Sequence, residues 1–126
     1  MSKQKTPKPT ATELRLLQTL WTMQSATVKE LHEAISHERP DWNYASVLRL
    51  MQVMHGKGLL VRDESQRSHV YRPAQQAESL RTNLLDDFID RAFSGSGKAL
   101  VLAALKDHVS EAERAEIRRL FDEHTP

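Results

Sequence analysis

The chain has 126 residues, 39% of them hydrophobic, no cysteine and a formal net charge of +1. That length fits one domain, or one domain plus a short helical appendage, and chains of this size often complete their burial by associating. Without cysteine there is no disulfide framework, thiolate metal site or cysteine nucleophile. No apolar run approaches the roughly 18 residues of a membrane span, and no apolar leader opens the chain, so a cytoplasmic protein without stable membrane insertion is expected.

The near-zero charge conceals an asymmetry. Residues 1–74 hold eleven Lys and Arg against seven Asp and Glu, and residues 75–126 hold seven against ten. A basic front half and an acidic back half suggest an anion-binding module joined to an assembly module.

Residues 1–9, MSKQKTPKP, carry three lysines and two prolines and read as a flexible basic arm. Thr10 and Glu13 then stand at capping-box spacing, and Leu14, Leu17, Leu20 and Trp21 recur at helical spacing as one apolar face. Gln24-Ser25-Ala26 ends that first helix. Thr27 and Glu30 repeat the box before a short second helix with Val28, Leu31 and Ile35 on one side, and Pro40 stops the helical pattern. Asn43 caps a third helix running to about His55, terminated by Gly56 and Gly58.

Beyond Gly58 the period changes. LLVRD and HVYRP are short, rich in branched and aromatic residues, and separated by the polar segment Glu64–Ser68, which reads as a β-hairpin ending at Pro73. Helix, helix, helix, hairpin is the element order of a winged helix. Residues 10–74 are therefore expected to form a winged helix-turn-helix DNA-binding domain.

The remainder, residues 75–126, reads as three amphipathic helices. The first runs from about Gln75 to Phe93 and is interrupted at Ser94-Gly95-Ser96-Gly97. The second runs from Lys98 to about His108, and a capping box of Ser110 and Glu113 opens the third. Three such helices without a sheet cannot bury all their stripes, and packing against a second copy is the simplest solution. Leu80, Leu84, Leu85, Phe88, Ile89, Leu102, Leu105, Leu120 and Phe121 are the expected dimerisation residues. The fold class is thus mainly α, a winged helix-turn-helix domain of three helices plus a β-hairpin wing, followed by a C-terminal helical dimerisation region.

Function concentrates on the third helix. Val47, Leu50, Met51 and Met54 fall at helical spacing and suit the core, while Tyr44, Ala45, Ser46, Arg49 and Gln52 occupy the other side. Arg49 has the fork geometry for a bidentate guanine contact and Gln52 for an adenine contact. In the hairpin, Arg62, Arg67, Arg72 and His69 form a basic edge suited to phosphate, and Lys57 is a further phosphate candidate. The six histidines lack ligand spacing, and there is no phosphate loop, nucleophile elbow or acid–base pairing. No metal, cofactor or enzymatic activity is expected. The competing reading is a winged-helix protein-interaction module that does not bind specific DNA.

The run DWNYASVLRLMQVMHGKGLLVRDESQRSHVYRP, preceded by PTATELRLLQTLW and TVKELHEAI, resembles the penicillinase-repressor (BlaI/MecI/CopY) family over about residues 7–123. The resemblance implies a winged-helix homodimer bound to a palindromic double-stranded DNA operator, blocking transcription. It also implies, for some members, a membrane metallopeptidase as antirepressor partner. The family's recognition helix has a pattern like T-[VI]-x-T-L-[LI]-x-R-L. Here Ser46 replaces the first Thr, Val47 and Leu50 match, Arg49 replaces the second Thr, and Val53 stands at the base-reading position where Arg is usual. Copper-responsive members carry a cysteine cluster that this chain lacks. Members released by proteolysis show an Asn-Phe pair where this chain has Ala103-Ala104.

Overall fold

A computed structural model of the chain describes residues 8–124, so most of the expected arm lies outside the described residues. The order of elements is α1 (Ala11–Met23), α2 (Val28–Ser36), α3 (Tyr44–Gly56), β1 (Leu60–Asp63), β2 (Val70–Pro73), α4 (Ala77–Ala92), α5 (Gly97–Asp107) and α6 (Glu111–His124). The described residues divide into two compact units that part between Asn83 and Leu84, inside α4.

Orphan amides at helix starts need acceptors, and this chain supplies them from Thr/Glu and Ser/Glu pairs. The Glu13 N–H donates to Thr10 Oγ1 at 3.1 Å while the Thr10 N–H donates to Glu13 Oε1 at 2.8 Å. Thr27 and Glu30 repeat the arrangement at 3.1 and 2.8 Å before α2. Along α1 the fully buried leucines are Leu16, Leu17 and Leu20, whereas Leu14 and Trp21 are only half-buried. The core face is rotated from the one expected, because α2 and β2 cover the Leu16–Leu20 side of α1. From α2, Val28, Leu31 and Ile35 enter the core as the spacing predicts.

The exit of α3 sets the angle at which the hairpin leaves. Gly58 takes φ 84, the Gly58 N–H donates to the His55 carbonyl at 3.1 Å, and the Leu59 N–H reaches back to the Met54 carbonyl at 2.9 Å. These are the two bonds of a Schellman cap, and a left-handed residue at that place is best supplied by glycine. Met54 and Leu59, both buried, provide its usual apolar contact.

β1 and β2 pair antiparallel in the register Leu60↔Pro73, Val61↔Arg72, Arg62↔Tyr71 and Asp63↔Val70. A two-stranded ribbon alone is marginal in water. Here the turn before α2 adds a third line of backbone. The Ala26 N–H donates to the Tyr71 carbonyl at 2.9 Å and the Tyr71 N–H to the Ala26 carbonyl at 2.8 Å. Tyr71, 2% exposed, is thereby clamped from both sides.

The first unit also takes in the start of α4. Trp21 Nε1 donates to the Gln75 carbonyl at 2.9 Å, and Leu80, 2% exposed, shares a narrow crevice with Leu17, Trp21 and Leu59. This corrects the expectation for Leu80. Its side chain is consumed by the core of its own protomer and is not presented to a second copy.

In the second unit Ser94 (φ 51) and Gly95 (φ 83) turn the chain, Ser96 caps α5 through the Ala99 N–H at 3.0 Å, and Ser110 with Glu113 forms the third capping box. Phe88 and Phe93 meet edge to face, with ring centroids 5.6 Å apart. No described residue of this unit is buried. No helix among the described residues is long and apolar enough to cross a membrane.

Candidate nucleic-acid interface

α3 presents two chemically opposite sides. Val47, Met51 and Met54 are at most 1% exposed, anchoring the helix to the domain. Ala45, Ser46, Arg49 and Gln52 are exposed, as are Tyr44 and Val53 at 47% and 45%. All six residues expected to read bases therefore lie on accessible surface. Leu50 departs from expectation. It is half-buried and lines the groove described below, because it sits at the border between the two sides.

The start of α3, like that of α5, differs from those of α1, α2, α4 and α6. Asn43 Oδ1 accepts from the Ser46 N–H at 2.8 Å, but no acid occupies the first turn. The first turns of α1, α2 and α6 all contain glutamates. Carboxylates there answer the positive end of the helix dipole; α3 and α5 have none in their first turns. Indeed α3 contains no acidic residue at all.

The junction ahead of α3 is held by side chains whose pairing the sequence did not disclose. His32 Nε2 donates to the Trp42 carbonyl at 3.0 Å. The Arg39 guanidinium lies 4.6 Å from the centre of the Trp42 ring and also bonds Asp41 through two 3.3 Å contacts. That pairing holds the Asp41 carboxyl below its ordinary value. Tyr44 packs edge to face on His32, 6.1 Å between centroids. Between Trp42, Thr12 and the Val47–Leu50–Val53 side of α3 runs an open groove of about 340 Å³, with Ser46 and Arg49 also on its lining.

The expected phosphate ligands are placed unequally. Arg67 and His69 are exposed on the hairpin, and Arg67 has no partner among the described residues. Arg62 is committed elsewhere, bonding Glu64 at 2.7–2.8 Å. Hydrogen bonds to Tyr71 and then Glu64 raise its pKa, and Arg62 in turn lowers that of Glu64. Lys57 departs most. Its ammonium bonds both oxygens of Glu13 at 2.8 and 2.9 Å, and the Glu13 side chain is only 3% exposed. Burial raises the Glu13 carboxyl, but hydrogen bonds from Lys57 and the Thr10 N–H outweigh it and hold the pKa below its ordinary value. Lys57 is thus spent neutralising a buried acid, which corrects its reading as a free phosphate ligand. Sequence could have hinted at this only through Glu13 itself, which the capping box demanded on a helix face that the fold then covered.

The remaining residues expected at a dimer face all lie in the second unit. Leu85, Phe88, Leu102, Leu120 and Phe121 are 46–70% exposed, and Leu84, Ile89 and Leu105 are half-buried. Val101, 53% exposed, belongs to the same set and was not anticipated. A groove within this unit runs between Leu102, Leu105, Ile117 and Phe121.

Three helices, a hairpin and a solvent-facing third helix define a winged helix-turn-helix protein. Known proteins narrow the class. A profile of the family described as "Penicillinase repressor" matches residues 9–123. The transcriptional regulator BlaI of Mycobacterium tuberculosis (strain CDC 1551 / Oshkosh) is 27% identical over 112 residues, covering 88% of this chain and 80% of that protein. BlaI of strain ATCC 25618 / H37Rv gives the same figures. The solution structure of the DNA-binding domain of the repressor BlaI aligns with a TM-score of 0.51 at 21% identity, covering 60% of this chain and 90% of that one. The chain belongs to the penicillinase-repressor family of transcriptional repressors.

Proposed function

We propose that the protein acts as a homodimer, each protomer inserting α3 into the major groove of one half of a palindromic operator and so blocking transcription. The observation that carries this reading is α3 itself. It is an acid-free helix, anchored by Val47, Met51 and Met54, that exposes Ser46, Arg49, Gln52 and Val53. In this arrangement Arg49 and Gln52 read purine edges, Val53 offers a methyl-sized apolar contact, and Tyr44, Ala45 and Ser46 lie nearest the helix start. Arg67 and His69 on the wing grip phosphate without reading sequence. Arg62 contributes less because Glu64 neutralises it.

The second unit supports the dimer. Its apolar side chains have no core of their own among the described residues, and a second copy would cover them. Two-fold symmetry then places the half-sites about one helical turn, or a multiple of it, apart. Release by a metallopeptidase at Ala103-Ala104 would first require α5 to open, since both residues sit mid-helix and half-buried.

Selection of bound DNA from a random pool tests the reading. A palindrome should be enriched, and a gel shift on it should be abolished by the pair Arg49→Ala and Gln52→Ala and weakened steeply by added salt. A pool that returns no motif, or a double variant that binds as before, would overturn it in favour of a protein-interaction module.

A further inference from the structure

We infer that the groove beside α3 is a binding site for a small aromatic carboxylate, and that a ligand there excludes DNA. The exclusion rests on the reading of α3 given above; the binding itself does not.

The groove's volume, about 340 Å³, falls within the roughly 300–1,000 Å³ typical of small-ligand sites. Val47, Leu50 and Val53 form an apolar wall, and Trp42 adds aromatic surface. A ring seated there removes apolar area from water on both partners. Trp42 is held in place before any ligand arrives, by His32 on its carbonyl and by Arg39 on its ring. A site that needs no ordering loses less on binding.

Charge selects the ligand's other end. Arg49 lines the groove, is exposed, and has no ion-pair or hydrogen-bond partner among the described residues. The nearby cations are committed, Arg39 to Asp41 and Lys57 to Glu13. No acid lines the groove. A neutral ligand would leave the Arg49 fork unused, and a phosphate dianion would find one cation and an apolar floor. A monocarboxylate on an aromatic body satisfies both features, with the Ser46 and Thr12 hydroxyls available as further donors. Because Ser46, Arg49 and Val53 are both groove lining and proposed reading residues, ligand and base edges would compete for the same surface.

The full chain titrated with 1-naphthoate supplies the test, read by tryptophan fluorescence and by methyl NMR shifts. Saturable binding is expected, with shifts concentrated at Val47, Leu50 and Val53. The fluorescence response should persist in Trp21→Phe and vanish in Trp42→Phe. Affinity should fall about tenfold for Arg49→Met, and equally for the neutral 1-naphthalenemethanol on the unaltered chain, from loss of a charge-assisted bond. Should Trp42→Phe fail to fold, the methyl shifts of the unaltered chain decide the location. Absence of saturation by about 10 mM, shifts elsewhere, or equal affinity for the neutral analogue would overturn the site and leave the groove to a DNA base edge. With the selected operator present, 1-naphthoate should raise the apparent Kd for DNA in proportion to its occupancy. DNA retained on a saturated groove would overturn the exclusion. A chain that binds 1-naphthoate but no DNA would support the site and refute the repressor reading.

Discussion

Leu16, Leu20, Leu31, Met51 and Met54 have no exposed surface in the first unit, whereas Val101, Leu102 and Phe121 stand 53–70% exposed in the second. Both units are built from amphipathic helices with similar apolar spacing and similar caps. They differ in what can cover the stripes. The first unit adds a hairpin, pinned by Ala26 to the turn before α2, and borrows Leu80 from α4. The second has helices alone, and its apolar side chains remain open. A stripe on a helix therefore specifies that a face will be buried, but not whether the protomer or a partner buries it.

The largest expected effect is on the open unit. Phe88→Asp places a charge on the proposed dimer face, where burying it unpaired costs several kcal/mol, about 3–5 in comparable cases. Sedimentation should give a monomer with the first unit still folded by NMR. Operator affinity should fall at least about 100-fold as avidity disappears. A variant that stays dimeric would break the contrast between the units.

Next is the closed unit. Leu20→Ala leaves a cavity in a fully buried site and should cost about 3 kcal/mol in denaturant unfolding. Its destabilisation should be the same at every protein concentration, while that of Phe88→Ala should depend on concentration as a linked dimerisation requires. Equal concentration dependence for both would erase the distinction.

A smaller effect is expected at Lys57. Lys57→Met leaves the carboxylate of Glu13 buried without its cation, costing about 1–3 kcal/mol. The lower part of that range is expected because the Lys57 side chain is 39% exposed and water can reach the site. The sign with pH follows from the lowered Glu13 pKa. The stabilisation is present above the carboxyl's ordinary 4.5 and is lost as pH falls through the lower folded value. Urea unfolding at neutral pH and at about pH 3 should show the acid-induced destabilisation shrinking in Lys57→Met. An unchanged acid limb would sink this assignment.

Smallest is Arg67→Ala on the wing. It should weaken binding to all DNA sequences by a similar few-fold factor. The slope of log affinity against log salt should become shallower by about 0.9 for each phosphate that Arg67 had neutralised. A selective effect on one sequence would move Arg67 from gripping phosphate to reading bases.

Local signals in the chain were strong where one short segment answers its own backbone. Thr10/Glu13, Thr27/Glu30, Asn43 and Ser110/Glu113 located four helix starts, and Gly58 located the exit of α3. The hairpin was legible from its alternating residues and polar tip, and the exposed side of α3 from the spacing of Val47, Met51 and Met54. Each of those features depends on neighbours within a few residues, so sequence alone determined them. Tertiary structure decided the rest. The partner of Lys57 lies 44 positions away at Glu13, β2 is clamped by Ala26, and Leu80 is taken into the first unit's core instead of a dimer face. It also placed Trp42 and Arg49 on one groove. Such pairings require distant segments to meet, and neither periodicity nor capping chemistry encodes which side chain will arrive opposite which.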